Sequence, residues 1–345
     1  MIKIQNIYYM LAYAFQILTQ ESYAHVAIED FEHPEDLLAA ILARGIANQI
    51  KRGIGHEYIS NTAPLCSPRG KINISASIRE RAILKKQLFC EYDEFSENTY
   101  INQTLKTTMA ILLRSDKVGT EQKKALKNIM LYFGNVDVIN PHDIQWTSIK
   151  YHRNNATYKM LINICYLVIE ALLPTTQEGP KKLSQFKDKH LHRLFEKFVL
   201  EYYRKHYPCY KVSSGQINWN VDDNFIEQLP AMKADITLEY MGKTLIIDTK
   251  YYRRTMQTNV LYNSRTIHSG NMYQIFAYVK NRDTHHSGNV SGVLLYAKTD
   301  EKITPDNSYL IDGNKISVRT LDLDNDFAAI KKQLNKIVDE WLFLI

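Results

Sequence analysis

The sequence predicts an α/β (α+β) protein in two domains. A mixed helical and β domain occupies 1–175, and a second domain over 176–345 runs in the order α, β, β, β, α, β. Three observations lead there. The chain has 345 residues, 45% hydrophobic and 23% charged, which suits roughly two ordinary domains and excludes a disordered chain. Its apolar residues recur at helical spacing in some blocks and alternate in others. Between two blocks lies Pro174-Thr-Thr-Gln-Glu-Gly-Pro180, without one apolar residue, which reads as the boundary.

Taken in order, Ile7, Met10, Leu11, Ala14 and Phe15 mark a helix over 4–18, and Leu37, Leu38, Ile41, Leu42 and Ile46 a second over 31–50. From Gly53 to about Tyr92 the period changes. Tyr58-Ile59-Ser60, the breakers Pro64, Pro68 and Gly70, and the alternating Lys71-Ile72-Asn73-Ile74-Ser75 predict strands with protruding loops. Helix returns over 102–133, and an apolar helix over 158–173 ends at Pro174. Past the boundary, Leu191, Leu194, Phe195, Phe198, Val199 and Tyr202 define a helix over 189–207. Strands follow at 210–212, 234–240 and 243–248, then a helix over 270–280, strands at 293–297 and 315–321, and a helix over 325–343.

Composition narrows the chemistry. Only 13 residues are Gly, about half of an average usage near 7%. Neither G-x-x-x-x-G-K-[ST] nor G-x-G-x-x-G occurs, and Gly53-Ile54-Gly55 lacks the third Gly, so if nucleotide hydrolysis belongs to the function it is expected of a partner. The net charge of +6 permits nucleic-acid contact without the basic excess of a dedicated binder. Cys66, Cys90, Cys165 and Cys209 form no C-x-x-C, which argues against a zinc cluster or a disulfide framework. No secretory signal opens the sequence, and the most apolar run, from Met160 to Leu173, is interrupted by Asn163 and Glu170. A soluble, cytoplasmic protein without a membrane partner is expected.

The most informative stretch runs from Ala234-Asp235 to Asp248-Thr249-Lys250. With Met241-Gly242 as a two-residue hairpin turn, Tyr240 pairs with Lys243 and Asp235 falls opposite Asp248. Like charges at a cross-strand distance of ~4.5–5.5 Å destabilise a ladder unless a cation offsets them. Alternation puts Lys250 on the Asp248 face and turns Thr249 away, leaving its carbonyl as a ligand; carboxylates, a carbonyl and water suit Mg2+. An ammonium beside the metal can orient water and neutralise charge at phosphorus, so phosphodiester hydrolysis is expected. The competing reading is a solvated edge pair, but Leu245-Ile246-Ile247 reads as a strand buried on both faces.

The Asp235…Asp248-Thr249-Lys250 arrangement resembles the PD-(D/E)xK nuclease superfamily, with Ala234 where the Pro of its name would stand. That resemblance implies an αβββαβ core. It also offers Glu196 as a further metal ligand, against a solvent-facing helical Glu. Gln274 and Tyr278 are four apart on one helix face and look like a Q-x-x-x-Y element supporting the lysine, though helix packing explains Tyr278 nearly as well. Asn6-Ile7-Tyr8-Tyr9-Met10-Leu11-Ala12-Tyr13-Ala14, Pro68-Arg69-Gly70-Lys71-Ile72, Glu97-Asn98-Thr99 with Asn102, Asp248-Thr-Lys-Tyr-Tyr252 and His268-Ser-Gly-Asn-Met-Tyr-Gln274 together resemble McrC, the nuclease subunit of McrBC-type 5-methylcytosine restriction systems, over nearly the whole chain.

The resemblance implies an N-terminal half that docks on and stimulates a hexameric McrB-like AAA+ GTPase, while this chain cuts double-stranded DNA. Arg69, Lys71, Arg79 and Arg81, with Lys85 and Lys86, would then touch the motor; otherwise they form a solvated loop. Lys181, Lys182, Lys187, Lys189, Arg193, Arg253, Arg254 and Arg265 are candidates to follow a phosphate backbone. His285-His286 reads as loop. Two alternatives stay open: a standalone nuclease, and a non-catalytic activating scaffold.

Overall fold

The computed structural model describes residues 2–16, 31–149, 151, 156–172, 180–223, 225–252, 256–259, 264–298 and 304–342. The chain forms two compact units, Met1–Phe31 with Pro174–Ile345, and Glu32–Leu173. This departs from the division at 175 in one respect, because helix α1 (Ile4–Phe15) belongs with the C-terminal half. Its Asn6 Nδ2 donates to the carbonyls of Leu323 and Asn325, both at 2.8 Å, and Tyr9 stacks on Phe327 with centroids 4.2 Å apart. A linker's composition reveals where a chain breaks, not which distant segment covers an apolar helix such as this one. The expected boundary stretch lies outside the described residues up to Pro180, and no helix among those described is long and apolar enough to cross a membrane.

In the Glu32–Leu173 unit, α2 (Pro34–Arg52) starts at a proline, carries Glu35 and Asp36 in its first turn and ends on Lys51 and Arg52, all matched to the helix dipole. Strands β1 (Glu57–Leu65) and β3 (Leu88–Ser96) pair antiparallel along their whole length, and β2 (Lys71–Ile72) adds to β3. The alternating stretch after Lys71 does not stay extended. Asn73 takes the Ala76 N–H at 2.9 Å on its Oδ1 and opens the short helix α3 (Ile74–Arg79), so side-chain capping overrides the period-2 pattern. Helices α4 (Tyr100–Arg114) and α5 (Thr120–Met130) divide the expected 102–133 helix, because the Gly119 N–H between them is held by Asp36 Oδ1 at 2.8 Å. Helix α6 spans Ala156–Leu172.

Buried Asn102, in the first turn of α4, ties the base of the hairpin together. Its Nδ2 donates to the carbonyls of Gly55 and Glu97, each at 2.8 Å, just before β1 and just after β3. The Gly55 N–H in turn donates to the Tyr158 hydroxyl at 2.8 Å.

The other unit is built on one sheet. Helix α7 (Pro180–His206) leads into β4 (Lys211–Ile217), β5 (Met232–Tyr240) and β6 (Lys243–Lys250), which pair antiparallel. After the small hairpin of β7 (Met256–Asn259) and β8 (Ser264–Ile267) come α8 (Ser269–Arg282), β9 (Val290–Ala297), β10 (Asn307–Ile311), β11 (Asn314–Leu321) and α9 (Phe327–Leu342). The sheet order is β10-β11-β9-β6-β5-β4, with β6, β9 and β11 parallel. Helix α8 lies close on the sheet because Gly292 of β9 has no side chain; a Cβ there would come within 2.8 Å of Ile275 and Val279. The order α, β, β, β, α, β expected from sequence is present, with β7, β8 and β10 in addition. Strand β10 escaped notice because four of its five residues are exposed, which erases the alternation that marks a half-buried strand.

Candidate active site

The β5–β6 hairpin turns through Met241 and Gly242 at φ of 46° and 76°, the positive values a type I′ turn needs. Its register runs from Tyr240↔Lys243 to Ile236↔Ile247, as the turn predicts. Beyond that pair the ladder departs from the expectation. Between paired positions, β4 advances from Ser213 to Gly215 while β5 runs back from Thr237 to Ala234, so β5 carries one extra residue beside Asp235. The bulge moves Met232 and Ala234 into the same core cluster as Ile246, Ile275 and Val279. Asp235 is thereby brought to the Thr249 side, and its Oδ2 accepts from both the Thr249 N–H and the Thr249 hydroxyl at 2.8 Å. The two aspartates are therefore not side by side on one regular face, and the Thr249 side chain does not simply turn away.

Asp248 is 2% exposed and Lys250 8%. Burial pushes the Asp248 carboxyl up to about 6, with the charge of Asp235 adding to the rise against the pull of Lys250. Lys250 Nζ lies 2.6 Å from Asp248 Oδ2, a close buried ion pair. Burial also works against the Lys250 ammonium, but Asp248 outweighs it and holds the group above its ordinary value. The ammonium donates to Gln274 Oε1 at 3.0 Å; Gln274 Nε2 donates to the Tyr278 hydroxyl at 2.8 Å, and Tyr278 to the Lys233 carbonyl at 3.0 Å. A lysine only donates, so this chain fixes the orientation of the Gln274 amide.

Glu196, on α7, feels the same centre: burial and then the charges of Asp235 and Asp248 raise its carboxyl, with Lys233 and Arg193 opposing. One turn before it, His192 Nε2 lies 2.8 Å from the Thr249 carbonyl and must donate, since a carbonyl only accepts. His192 was missed by the sequence reading; its spacing of four from Glu196 was the available signal. The Thr249 carbonyl retains a second lone pair. Among the described residues no group of three or more His, Cys, Asp or Glu is close enough to hold a metal by itself. Two aspartates and a carbonyl are nonetheless hard oxygen donors of the kind Mg2+ takes together with water.

The remaining expected residues lie elsewhere. Arg69 covers the Tyr92 ring at 4.9 Å, Lys71 is 3.7 Å from Glu91, Arg79 pairs with Glu80 at 3.0 Å and Arg81 is exposed, all in the β1–β3 hairpin and its connection. Arg193 and Arg265 are exposed in the sheet unit, as are His285 and His286 in the turn after α8. Arg253 and Arg254, and the side chains of Lys181, Lys182, Lys187 and Lys189, lie outside the described residues.

A family model described as "McrBC 5-methylcytosine restriction system component" matches residues 3–297. The chain is 25% identical over 346 residues to the "Type IV methyl-directed restriction enzyme EcoKMcrBC" of Escherichia coli (strain K12), covering 99% of this chain and 98% of the relative. Its backbone resembles a chain of the "Refined half-complex from tetradecameric assembly of Thermococcus gammatolerans McrB AAA+ hexamers with bound McrC", with a TM-score of 0.52 and 16% identity over 97% of this chain and 76% of that one. At that identity the likeness is one of fold.

Proposed function

The chain belongs to the McrBC 5-methylcytosine restriction system component family, and we propose that within such a system it is the cutting subunit: a Mg2+-dependent endonuclease of the PD-(D/E)xK class that acts on double-stranded DNA with an McrB-like AAA+ GTPase hexamer and stimulates its hydrolysis. The observation that carries the reading is the buried Asp248–Lys250 pair at the end of β6, with Asp235 and Glu196 close enough to shift its protonation. A fully buried acid beside an ammonium is costly to maintain for stability alone, and such perturbed groups concentrate at reactive sites.

When bound by Asp235, Asp248 and the Thr249 carbonyl, Mg2+ supplies the Lewis acidity that phosphodiester hydrolysis needs. The Lys250 ammonium, held by Gln274, donates toward the attacking water or a phosphate oxygen and balances charge that grows at phosphorus. Thr249 keeps Asp235 aimed through its N–H and hydroxyl, and His192 fixes the Thr249 carbonyl. Docking on the motor falls to the hairpin connection, where Ile74, Ile78 and the 80% exposed Leu84 stand among Arg79, Arg81, Lys85 and Lys86. Exposed apolar side chains interleaved with cations are a partner surface rather than a merely solvated loop.

Reconstitution tests the assignment. Cleavage of DNA containing 5-methylcytosine should need this chain, the GTPase, GTP and Mg2+ together, and chelation of the metal should stop it. Cutting without the GTPase would favour a standalone nuclease, and stimulated GTP hydrolysis with no cutting would favour a scaffold. Within the site, Gln274→Leu is expected to lower the single-turnover cleavage rate about ten- to a hundredfold, the effect of leaving the lysine without its guide, at unchanged DNA affinity.

A further inference from the structure

We propose that Tyr252 is a catalytic residue whose hydroxyl donates to a non-bridging oxygen of the phosphate undergoing cleavage, aimed there by Asn271 as its positioning residue. The proposal rests on the nuclease reading above and assigns part of the substrate contact to this chain.

Strand alternation puts positions 248, 250 and 252 on one side of β6 and its exit, toward α8. Helix α8 offers that row two amides about one turn apart. Gln274 takes the Lys250 ammonium at 3.0 Å, and Asn271 Oδ1 takes the Tyr252 hydroxyl at 3.4 Å. Asn271 is itself fixed, being buried with its Nδ2 donating at 2.8 Å to the hydroxyl of Tyr296, which is fully buried and pairs with Lys250 in the β6–β9 ladder. The amide is thus oriented with its oxygen toward Tyr252. The Tyr252 ring is steadied by His268, with centroids 5.5 Å apart, and by Tyr296 at 6.3 Å.

The long bond separates Tyr252 from the tyrosines that serve packing in the same unit. Tyr202, Tyr203 and Tyr278 donate at 2.8, 3.0 and 3.0 Å to acceptors that satisfy them inside the fold. Tyr252 is 37% exposed, and its donor is held near the limit of useful hydrogen-bond length. A donor so placed exchanges its partner for a phosphate oxygen at little cost, and the bond to a charged acceptor is the stronger one. Helix α8 therefore holds the Lys250 ammonium and the Tyr252 phenol through amides about one turn apart, so the two donors address one region. His268, Asn271 and Gln274, which the sequence grouped in one motif, thereby acquire connected roles.

Single-turnover cleavage by the reconstituted complex tests this with Tyr252→Phe, which keeps the ring and removes the donor. The rate is expected to fall about ten- to a hundredfold with DNA binding and GTP hydrolysis unchanged. Sulfur in place of the contacted oxygen should slow the wild type by more than it slows Tyr252→Phe, because the variant has already lost that bond. Full-rate cleavage by Tyr252→Phe, or a sulfur effect of equal size in both, overturns the assignment. Asp248→Asn in parallel separates the two readings: an inactive Asp248→Asn beside a fully active Tyr252→Phe removes only the tyrosine, whereas two fully active variants remove the nuclease site itself.

Discussion

Asp248→Ala is expected to abolish cleavage of methylated DNA while the chain still raises its partner's GTP hydrolysis to the wild-type level. The loss should be at least about a thousandfold, equivalent to about 4 kcal/mol of transition-state stabilisation, because on the proposed reading the change removes both a metal ligand and the counter-charge of Lys250. Asp248 lies at the end of a strand whose neighbours Leu245, Ile246 and Ile247 are buried, so its carboxylate has no solvating role that another group assumes. Truncation also leaves the Lys250 ammonium buried without its adjacent carboxylate, held by Gln274, a change that destabilises locally. Asp248→Asn is therefore the companion variant, since it preserves volume while removing the charge and one acceptor oxygen. Plasmid cleavage and GTP hydrolysis measured on the same preparations decide the matter, and cutting by either variant at more than a few per cent of the wild-type rate sinks the metal assignment.

How far this site was legible from sequence depends on which interactions made it. The hairpin register was readable because Met241-Gly242 is a two-residue turn and the flanking apolar pattern admits one pairing. Helix spacing put Gln274 and Tyr278 on one face and strand alternation put Lys250 with Asp248, but only the resemblance to a Q-x-x-x-Y element joined Gln274 to the lysine. The bulge at Asp235 was not readable, since Met232, Ala234, Ile236 and Leu238 alternate without a break and hide the extra residue. Helix α1 joined the wrong half for a related reason: Asn6 finds its carbonyls more than three hundred positions away, and no local pattern encodes that. His192 acts on a backbone carbonyl, and a backbone carbonyl carries no residue signature. What the sequence hides throughout is contact made to or by the main chain.

Gly70→Ala should lose what Asp248→Ala keeps, the stimulation of GTP hydrolysis, while the sheet unit stays folded. Gly70 has φ of +71°, and a Cβ there would fall 2.3 Å from the Glu91 carbonyl and 2.9 Å from the Tyr92 side chain. The left-handed backbone alone costs an alanine about 1–2 kcal/mol, and the clash is with main chain that cannot rotate aside. Relief requires β2 to leave β3, which loses the Lys71↔Glu91 and Ile72↔Cys90 pairs. The consequences propagate, because Asn73 N–H donates to the Phe89 carbonyl at 2.8 Å, Phe89 N–H to Ser77 Oγ at 2.8 Å, and Asn73 caps α3. Ile74, Ile78, Arg79 and Arg81 would then lose their common frame. The expected result is at least a tenfold loss of GTPase stimulation, about 1.4 kcal/mol or more, with DNA cleavage by the complex falling in step. Hydrogen exchange over 71–79 should rise in the variant, while protection of β6 and β9 should not change. Wild-type stimulation by a chain whose 71–79 segment exchanges freely would show that the motor is engaged by some other surface.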